Sequence, residues 1–360
     1  MKAVERVGAS GWYILGSEVA AFEEALAEQC RVRHVIGCAS GLDAIELALR
    51  AAGLPRGGQV LTTPLSAFAT TLAIVRAGGV PVFVDVDASG LLDLDRAEEV
   101  LREHPEIRFM VPVHLYGHAL DLERLDALRA RYGLTVVEDC AQAVGATSGG
   151  RAVGSAGTAG TLSFYPTKNL GALGDGGAVL TQDDRIATRC RNLRDYGQER
   201  RYSHTALGLN SRLDEVHAAV LRSVFLPRLG DWTSRRRQIA SRYLERLPWS
   251  AQLERLPVPE RSQSVWHLFP VRAADDRDGM LSHLRQRGIQ GAVHYPAIIP
   301  EQPALKDPLV FGTLERARHL AATEVSLPIH PALSDAEIDE VVSAVREWCS
   351  EAAKRAAGGA

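Results

Sequence analysis

Lys168 stands in Ser163-Phe-Tyr-Pro-Thr-Lys-Asn-Leu170, directly before the glycine-rich run Gly171-Ala-Leu-Gly-Asp-Gly-Gly177. The chain has four lysines (Lys2, Lys168, Lys306 and Lys354) among 41 lysine and arginine residues, so arginine fills almost every solvated cationic position. A lysine kept in an apolar, glycine-rich segment offers what arginine cannot. Its amine can shed a proton and attack a carbonyl, forming an imine. The bland alternative is an ordinary solvated lysine, and residues elsewhere must decide between the two.

Asp139 ends the apolar run Val136-Val137-Glu138-Asp139. A carboxylate at a strand end can pair with a pyridine nitrogen and keep it protonated, since a close opposite charge shifts a pKa by ~1–3 units. Read alone, Asp139 is as easily a helix cap or a structural ion-pair partner. Gln142, three residues on, carries an amide suited to a ring oxygen. Ser40-Gly41 follows the run ending at Cys38. Ser40 can cap a helix, Gly41 allows close approach of backbone to a ligand, and the free N–H groups there favour a phosphate. Ser163 could donate to the same phosphate. Phe68 could stack on a pyridine face, or simply belong to the core. An amine, a ring-pairing carboxylate, an anion-binding helix start and a stacking aromatic together suit pyridoxal phosphate (PLP), whose protonated ring acts as an electron sink. The run Gly174-Asp-Gly-Gly177 lacks the strand–GxGxxG–helix order of a dinucleotide loop, so that reading is rejected.

These residues need a scaffold of strand ends. Short β-branched runs at 35–38, 60–62, 80–84, 109–113, 134–138, 161–164 and 178–180 alternate with helical patterns near 40, 67–77, 94–102 and 122–131. Buried, non-alternating strands separated by helices predict an α/β fold with a mainly parallel seven-stranded sheet between helices. Ligands in such sheets bind beyond the strand C-termini. Residues 213–247 read as one long helix, or a pair broken at Pro227. The expected organisation is a large domain over 1–245, whose first residues pack with the small domain, and a smaller C-terminal α/β domain over 246–360. Arg235-Arg236-Arg237, the densest basic cluster, reads as a solvated helical face.

Composition narrows the classes. A chain of 360 residues suggests two domains, and a net charge of −3 gives no reason to expect a nucleic-acid surface. Five scattered cysteines without a CxxC pair point to no zinc or redox motif, to no metal, and to a reducing cytoplasm. No signal core and no run of ~18 apolar residues is present, so neither export nor a membrane span is expected.

The chain resembles the DegT/StrS-type sugar aminotransferases of PLP fold type I, within the aspartate aminotransferase superfamily. The resemblance rests on Gly11-Trp-Tyr-Ile-Leu-Gly16, Ser40-Gly41, Pro81-Val-Phe-Val-Asp-Val86, Pro112-Val-His-Leu-Tyr-Gly117 and Glu138-Asp-Cys-Ala-Gln-Ala143. It continues through Ser163-Phe-Tyr-Pro-Thr-Lys-Asn-Leu-Gly171, Gly208-Leu-Asn-Ser-Arg-Leu-Asp214 and His294-Tyr-Pro296, in that order. The resemblance implies that Lys168 forms the imine with PLP, Asp139 binds the ring nitrogen and Gln142 the phenolic oxygen. It further implies that Ser163 and the backbone around Ser40 and Gly41 hold the phosphate, and that Phe68 stacks on the ring. Asn210 would reach the phosphate of the neighbouring subunit in a homodimer with shared active sites. Trp12, Tyr13, His294 and Tyr295 would contact the substrate.

The implied reaction is ping-pong transamination through the PLP and pyridoxamine phosphate (PMP) forms. Glutamate is the expected donor and a nucleotide-linked ketosugar the acceptor. The opening motif and the Gly-Leu-Asp-Ala after Ser40 look most like enzymes that aminate C3 of dTDP-3-keto-6-deoxyhexoses. Nucleotide-4-ketosugars and keto-cyclitols are the alternatives. A related sugar dehydratase would carry histidine in place of Lys168, and a DNA-binding regulator would need an added helix-turn-helix, for which the start leaves no room. Two departures stand out. Family members usually carry a further short segment before Ser10-Gly11-Trp12; nine residues precede it here, so the contacts of that segment are not expected. A second histidine, usual soon after His-Tyr-Pro, is replaced here by Pro300.

Overall fold

A computed structural model describes residues 2–274 and 276–358. Its centre is an eight-stranded sheet in the spatial order 34–38, 177–181, 159–163, 135–139, 109–111, 59–62, 80–84, 309–311. Every neighbouring pair is parallel except those of Gly177–Thr181, which runs antiparallel to both His34–Cys38 and Ala159–Ser163. Successive side chains of a strand point to opposite faces, and the core divides accordingly. Leu61, Met110 and Val136 pack on one face with Val100 and Leu101 of the Leu94–Glu103 helix and Leu125 and Leu128 of the Leu122–Tyr132 helix. Val60, Val111 and Val137 pack on the other with Ile45, Leu47 and Ala48 of the Gly41–Ala51 helix and Ile74 of the Phe68–Arg76 helix.

The eighth strand, Leu309–Phe311, was not among the seven expected from periodicity. It pairs Leu309 with Val82, Val310 with Phe83 and Phe311 with Val84 at the sheet edge. Leu309-Val-Phe311 is a three-residue, partly exposed run between Pro308 and Gly312, too short and too open to read as a buried strand. Its position also means that the chain beyond residue 246 returns to the large sheet.

Helix starts follow their caps. Asp93, Asp121 and Asp183 each accept backbone N–H bonds from the first turn they precede, and Gly133 closes the Leu122–Tyr132 helix at φ 62°. The 213–247 segment does not split at Pro227. The Glu215–Val220 helix runs into a π turn over Leu221–Phe225, a 3-10 turn over Leu226–Arg228, and then the Leu229–Arg246 helix. Leu226 and Leu229 keep helical backbone angles, so the proline's missing N–H is absorbed by a change of hydrogen-bond pattern rather than a break.

The long helix packs on a three-stranded antiparallel sheet ordered 253–255, 269–273, 324–327. Ile239, Tyr243, Phe269, Val271, Met280, Val325, Val342 and Trp348 fill that core. Here the arginine triplet departs from a solvated face. Arg236 is buried, and its guanidinium donates to the carbonyls of Trp266, His267 and Ile329. Arg235 pairs with Asp335, and Arg237 donates to the carbonyl of Ser264. Among the described residues no helix is long and apolar enough to cross a membrane.

Candidate active site

Lys168 lies on the turn that follows the Ala159–Ser163 strand, its N–H donating to the Tyr165 carbonyl at 2.8 Å. It lines a cleft of about 850 Å³ together with Asn169, Arg236, His267 and His294. Burial pushes the Lys168 amine below the usual lysine range, and the Asp139 carboxylate opposes that shift. The two residues therefore lie close enough to interact, and the shift runs in the direction that favours a nucleophilic amine.

Asp139 ends the Thr135–Asp139 strand and is buried. One carboxylate oxygen accepts from the Thr70 hydroxyl at 2.8 Å and the other from the Ala141 N–H at 3.0 Å. Thr70 is itself paired with the Ser66 hydroxyl at 3.0 Å. Gln142 is buried too. Its carbonyl oxygen accepts from the Tyr116 N–H at 2.7 Å, and its amide donates to the Tyr295 hydroxyl at 3.2 Å.

The Ser40 hydroxyl caps the Gly41–Ala51 helix, accepting from the Asp43 N–H at 3.1 Å. A Cβ on Gly41 would lie 2.7 Å from the Ser163 Cβ and 3.2 Å from its hydroxyl oxygen. Helix start and strand end thus touch, and only glycine leaves the space. Phe68 opens the Phe68–Arg76 helix, half-buried, and with Tyr295 flanks the same core. His294 binds Ser326 through Nδ1 at 2.9 Å, and its carbonyl accepts from the Tyr116 hydroxyl at 3.0 Å. Burial and the nearby Lys168 hold His294 down to about 4, so it is neutral, while burial pushes the Tyr295 hydroxyl up to about 12.

Three residues stand apart from this cluster within the chain. Trp12 and Tyr13 are 62% and 53% exposed, and the Trp12 indole donates to the Ile14 carbonyl at 2.7 Å. Asn210 is exposed, although its neighbour Ser211 is buried, accepting from the Ala39 N–H and donating to Asp43 in the first turn of the Gly41–Ala51 helix. Thr70, Tyr116, His267, Glu324 and Ser326 were not picked out from sequence as functional. They reach the site through pairings of distant segments, and no local spacing announces them.

Directly behind Asp139, the buried His114, Glu138 and Cys140 offer metal-ligand types within 4.8 Å of one another. Their bonding is already complete. Glu138 accepts from His114 Nε2 at 3.0 Å and from the N–H groups of Gly154, Ala156 and Gly157, while His114 Nδ1 accepts from the Leu120 N–H. Burial pushes the Glu138 carboxyl up, but these bonds more than offset it and hold the group below its usual range.

A profile of the DegT/DnrJ/EryC1/StrS aminotransferase family matches residues 1–346. The chain belongs to that family. It is similar to the dTDP-3-amino-3,4,6-trideoxy-alpha-D-glucose transaminase of Streptomyces venezuelae, at 42% identity over 96% of this chain and 91% of that protein. The crystal structure of S. venezuelae DesV superposes with a TM-score of 0.92 at 42% identity, covering 96% of this chain and 93% of that one. NtdA of Bacillus subtilis, solved with bound PMP, superposes with a TM-score of 0.88 at 30% identity, covering 96% of this chain and 80% of that one.

The fold is that of the PLP fold type I sugar aminotransferases, and this DegT-family protein is a PLP-dependent aminotransferase. The residues present fit that cofactor. A half-buried amine of lowered basicity, a buried carboxylate held by neutral donors, and a glycine-walled helix start beside Ser163 are of the kinds that would serve as an imine partner, a partner for a ring nitrogen and a phosphate cradle.

Proposed function

We propose that this enzyme moves an amino group from glutamate to the keto group of a nucleotide-linked deoxysugar, with a dTDP-3-keto-6-deoxyhexose as the acceptor class. The observation that carries the reading is the pairing of a lowered-basicity Lys168 with a buried Asp139 beside a cleft of about 850 Å³. The acceptor class is supported by the name of the S. venezuelae relative. PLP, when bound, supplies an electron sink for the electron pair released as a C–H bond breaks.

The chain's own residues do the rest. Lys168, freed from the cofactor, holds and returns the proton, a service typically worth ~10²–10⁴-fold. Asp139 keeps the ring nitrogen positive, and its bonds from Thr70 and Ala141 fix the carboxylate without neutralising it. Gln142 is assigned to the phenolic oxygen, Phe68 to the ring face, and Ser163 with the Ser40–Gly41 helix start to the phosphate. His294 and Tyr295 are assigned to the sugar. Trp12 and Tyr13 are assigned to the substrate, and Asn210 to the phosphate in the site of a partner subunit. Exposed Trp12, Tyr13, Tyr165, Leu173, Tyr202 and Leu207 are side chains that a second copy would bury. A reducing, cytoplasmic setting suits the five free cysteines.

The test loads the protein with PMP and offers a panel of nucleotide ketosugars, following the spectral return of PLP. Turnover with a dTDP-3-ketosugar is expected. Turnover only with a keto-cyclitol, or with a 4-ketosugar, would overturn the acceptor assignment. Glutamate is checked separately by its conversion of the PLP form.

A further inference from the structure

Glu324 is fully buried, and the mechanism above makes no use of it. It begins the Glu324–Leu327 strand, and Ser326, two residues on, lies on the same face. Both side chains meet His294. One Glu324 oxygen accepts the His294 backbone N–H at 2.6 Å, and the other lies 2.5 Å from the Ser326 hydroxyl. That hydroxyl in turn lies 2.9 Å from His294 Nδ1. The ring's other nitrogen, Nε2, has no partner among the described residues, and His294 lines the cleft with Lys168.

This is a linear relay of carboxyl, hydroxyl and imidazole, and a hydroxyl can donate to only one neighbour. If Glu324 is a carboxylate, Ser326 donates to it, Nδ1 carries the imidazole proton, and Nε2 offers a lone pair. If Glu324 is protonated, it donates to Ser326, Ser326 donates to Nδ1, and Nε2 carries the proton. The two arrangements differ by one proton, which leaves or enters through Nε2 as the hydrogen bonds reverse.

We propose that Glu324 is a positioning residue that sets, through Ser326, which ring nitrogen of His294 holds the proton, and hence whether the cleft beside Lys168 meets a donor or an acceptor. The proposal deepens the reading of this cleft as the acceptor-sugar site and rests on it for the ligand's identity alone. A donor at Nε2 suits the ketone or hydroxyl oxygen of a sugar; an acceptor would select for an O–H.

The surroundings support a single titrating proton. Burial pushes the Glu324 carboxyl up to about 8, partly offset by its bonds from Ser326 and His294 and by the Arg277 charge. His294 is held down to about 4 by burial and Lys168, so the imidazole stays neutral throughout. The Tyr116 and Tyr295 hydroxyls face Glu324, and both are raised by burial. His267, facing His294 and Lys168, is held well below the usual histidine range. Arg272, the strand partner of Glu324, pairs with Glu254.

Histidine ring nitrogens distinguish the two arrangements directly by ¹⁵N NMR. The holoprotein, labelled with [¹⁵N]histidine, is titrated without substrate, and His294 is assigned by its loss in His294→Gln. The protonated nitrogen is expected to change from Nε2 to Nδ1 with a midpoint near the Glu324 value of about 8. In Glu324→Gln the amide oxygen takes the His294 backbone N–H and the NH2 group is left facing Ser326 as a donor, so Nε2–H should persist at every pH; in Ser326→Ala the pH dependence should vanish. An unchanged tautomer in the wild-type protein, or the same exchange surviving in either variant, overturns the proposal. The wild-type titration decides even if a variant fails to fold. Because no substrate is present, its failure leaves the sugar assignment untouched, and a failed sugar panel leaves the relay untouched.

Discussion

The Thr70 hydroxyl donates to the Asp139 carboxylate at 2.8 Å, joining the helix after one strand to the end of another. Asp139 closes the Thr135–Asp139 strand, while Thr70 sits in the Phe68–Arg76 helix, which follows Gln59–Thr62. The bond fixes one oxygen of a buried anion whose other oxygen is held by the Ala141 N–H. Neither donor carries charge, so neither offsets the charge that the proposed pairing with a ring nitrogen calls on.

The consequence is graded. Asp139→Asn removes a close opposite charge, worth ~1–3 pKa units, and should cost about 10–10³-fold in half-reaction rate with PLP still bound. Thr70→Val removes one bond to a charged group, worth ~1.5–3 kcal/mol, and should have the smaller effect because Ala141 remains. Single-turnover absorbance of the PLP and PMP forms measures both. Wild-type rates in Asp139→Asn would exclude the electronic role.

Lys168→Arg keeps a charge and loses the nucleophile. Rates should fall by at least ~10²–10⁴-fold, and borohydride reduction should leave no cofactor mass on the peptide carrying position 168. Lys168→Ala should behave alike. A cofactor-modified peptide elsewhere in either variant would move the assignment.

Gly41→Ala places a methyl 2.7 Å from the Ser163 Cβ. Overpacking of this kind costs ~1–3 kcal/mol, and separating the helix start from the strand end should weaken PMP binding by about 5–100-fold. Equilibrium dialysis of PMP against the variant checks it, and unchanged affinity would remove the phosphate from this corner.

Acid stability should be governed by buried neutral histidines. His118 is held to about 3 and His294 to about 4, both by burial, against an ordinary value of 6.5. Below that ordinary value the unfolded chain binds protons that the folded chain refuses. Stability is therefore complete at higher pH and falls as pH drops towards the folded values, by about 1.4 kcal/mol per pH unit for each histidine. Denaturant titrations across this range should show that slope, and His118→Gln should flatten it by about one proton.

Sequence-local physics made part of the site legible. Ser40 and Gly41 announce a helix start, Asp139 ends an apolar run, and Lys168 stands out because lysine is scarce. Seven of the eight strands of the central sheet, and the helices between them, follow from buried β-branched runs and helix caps. What stayed hidden depends on distant pairing. Thr70 and Glu324 are unremarkable until a strand end or a loop is brought to them. Arg236 looks solvated in an arginine triplet, yet three carbonyls enclose it. Trp12, Tyr13 and Asn210 are exposed in the single chain, so its contacts say nothing of the roles expected of them.

The Leu309–Phe311 strand constrains how this molecule can breathe. It lies between the Phe269–Ala273 and Glu324–Leu327 strands in sequence, yet hydrogen-bonds to Val82, Phe83 and Val84. The second half of the chain is therefore laced to the first at several places, among them the long helix, the Ser262–Gln263 strand paired with Thr147–Ser148, and the far sheet edge. A jaw swinging on the helix alone would have to unzip that edge, so admission of a bulky ligand falls to loops and side chains around the cleft rather than to a wide gape.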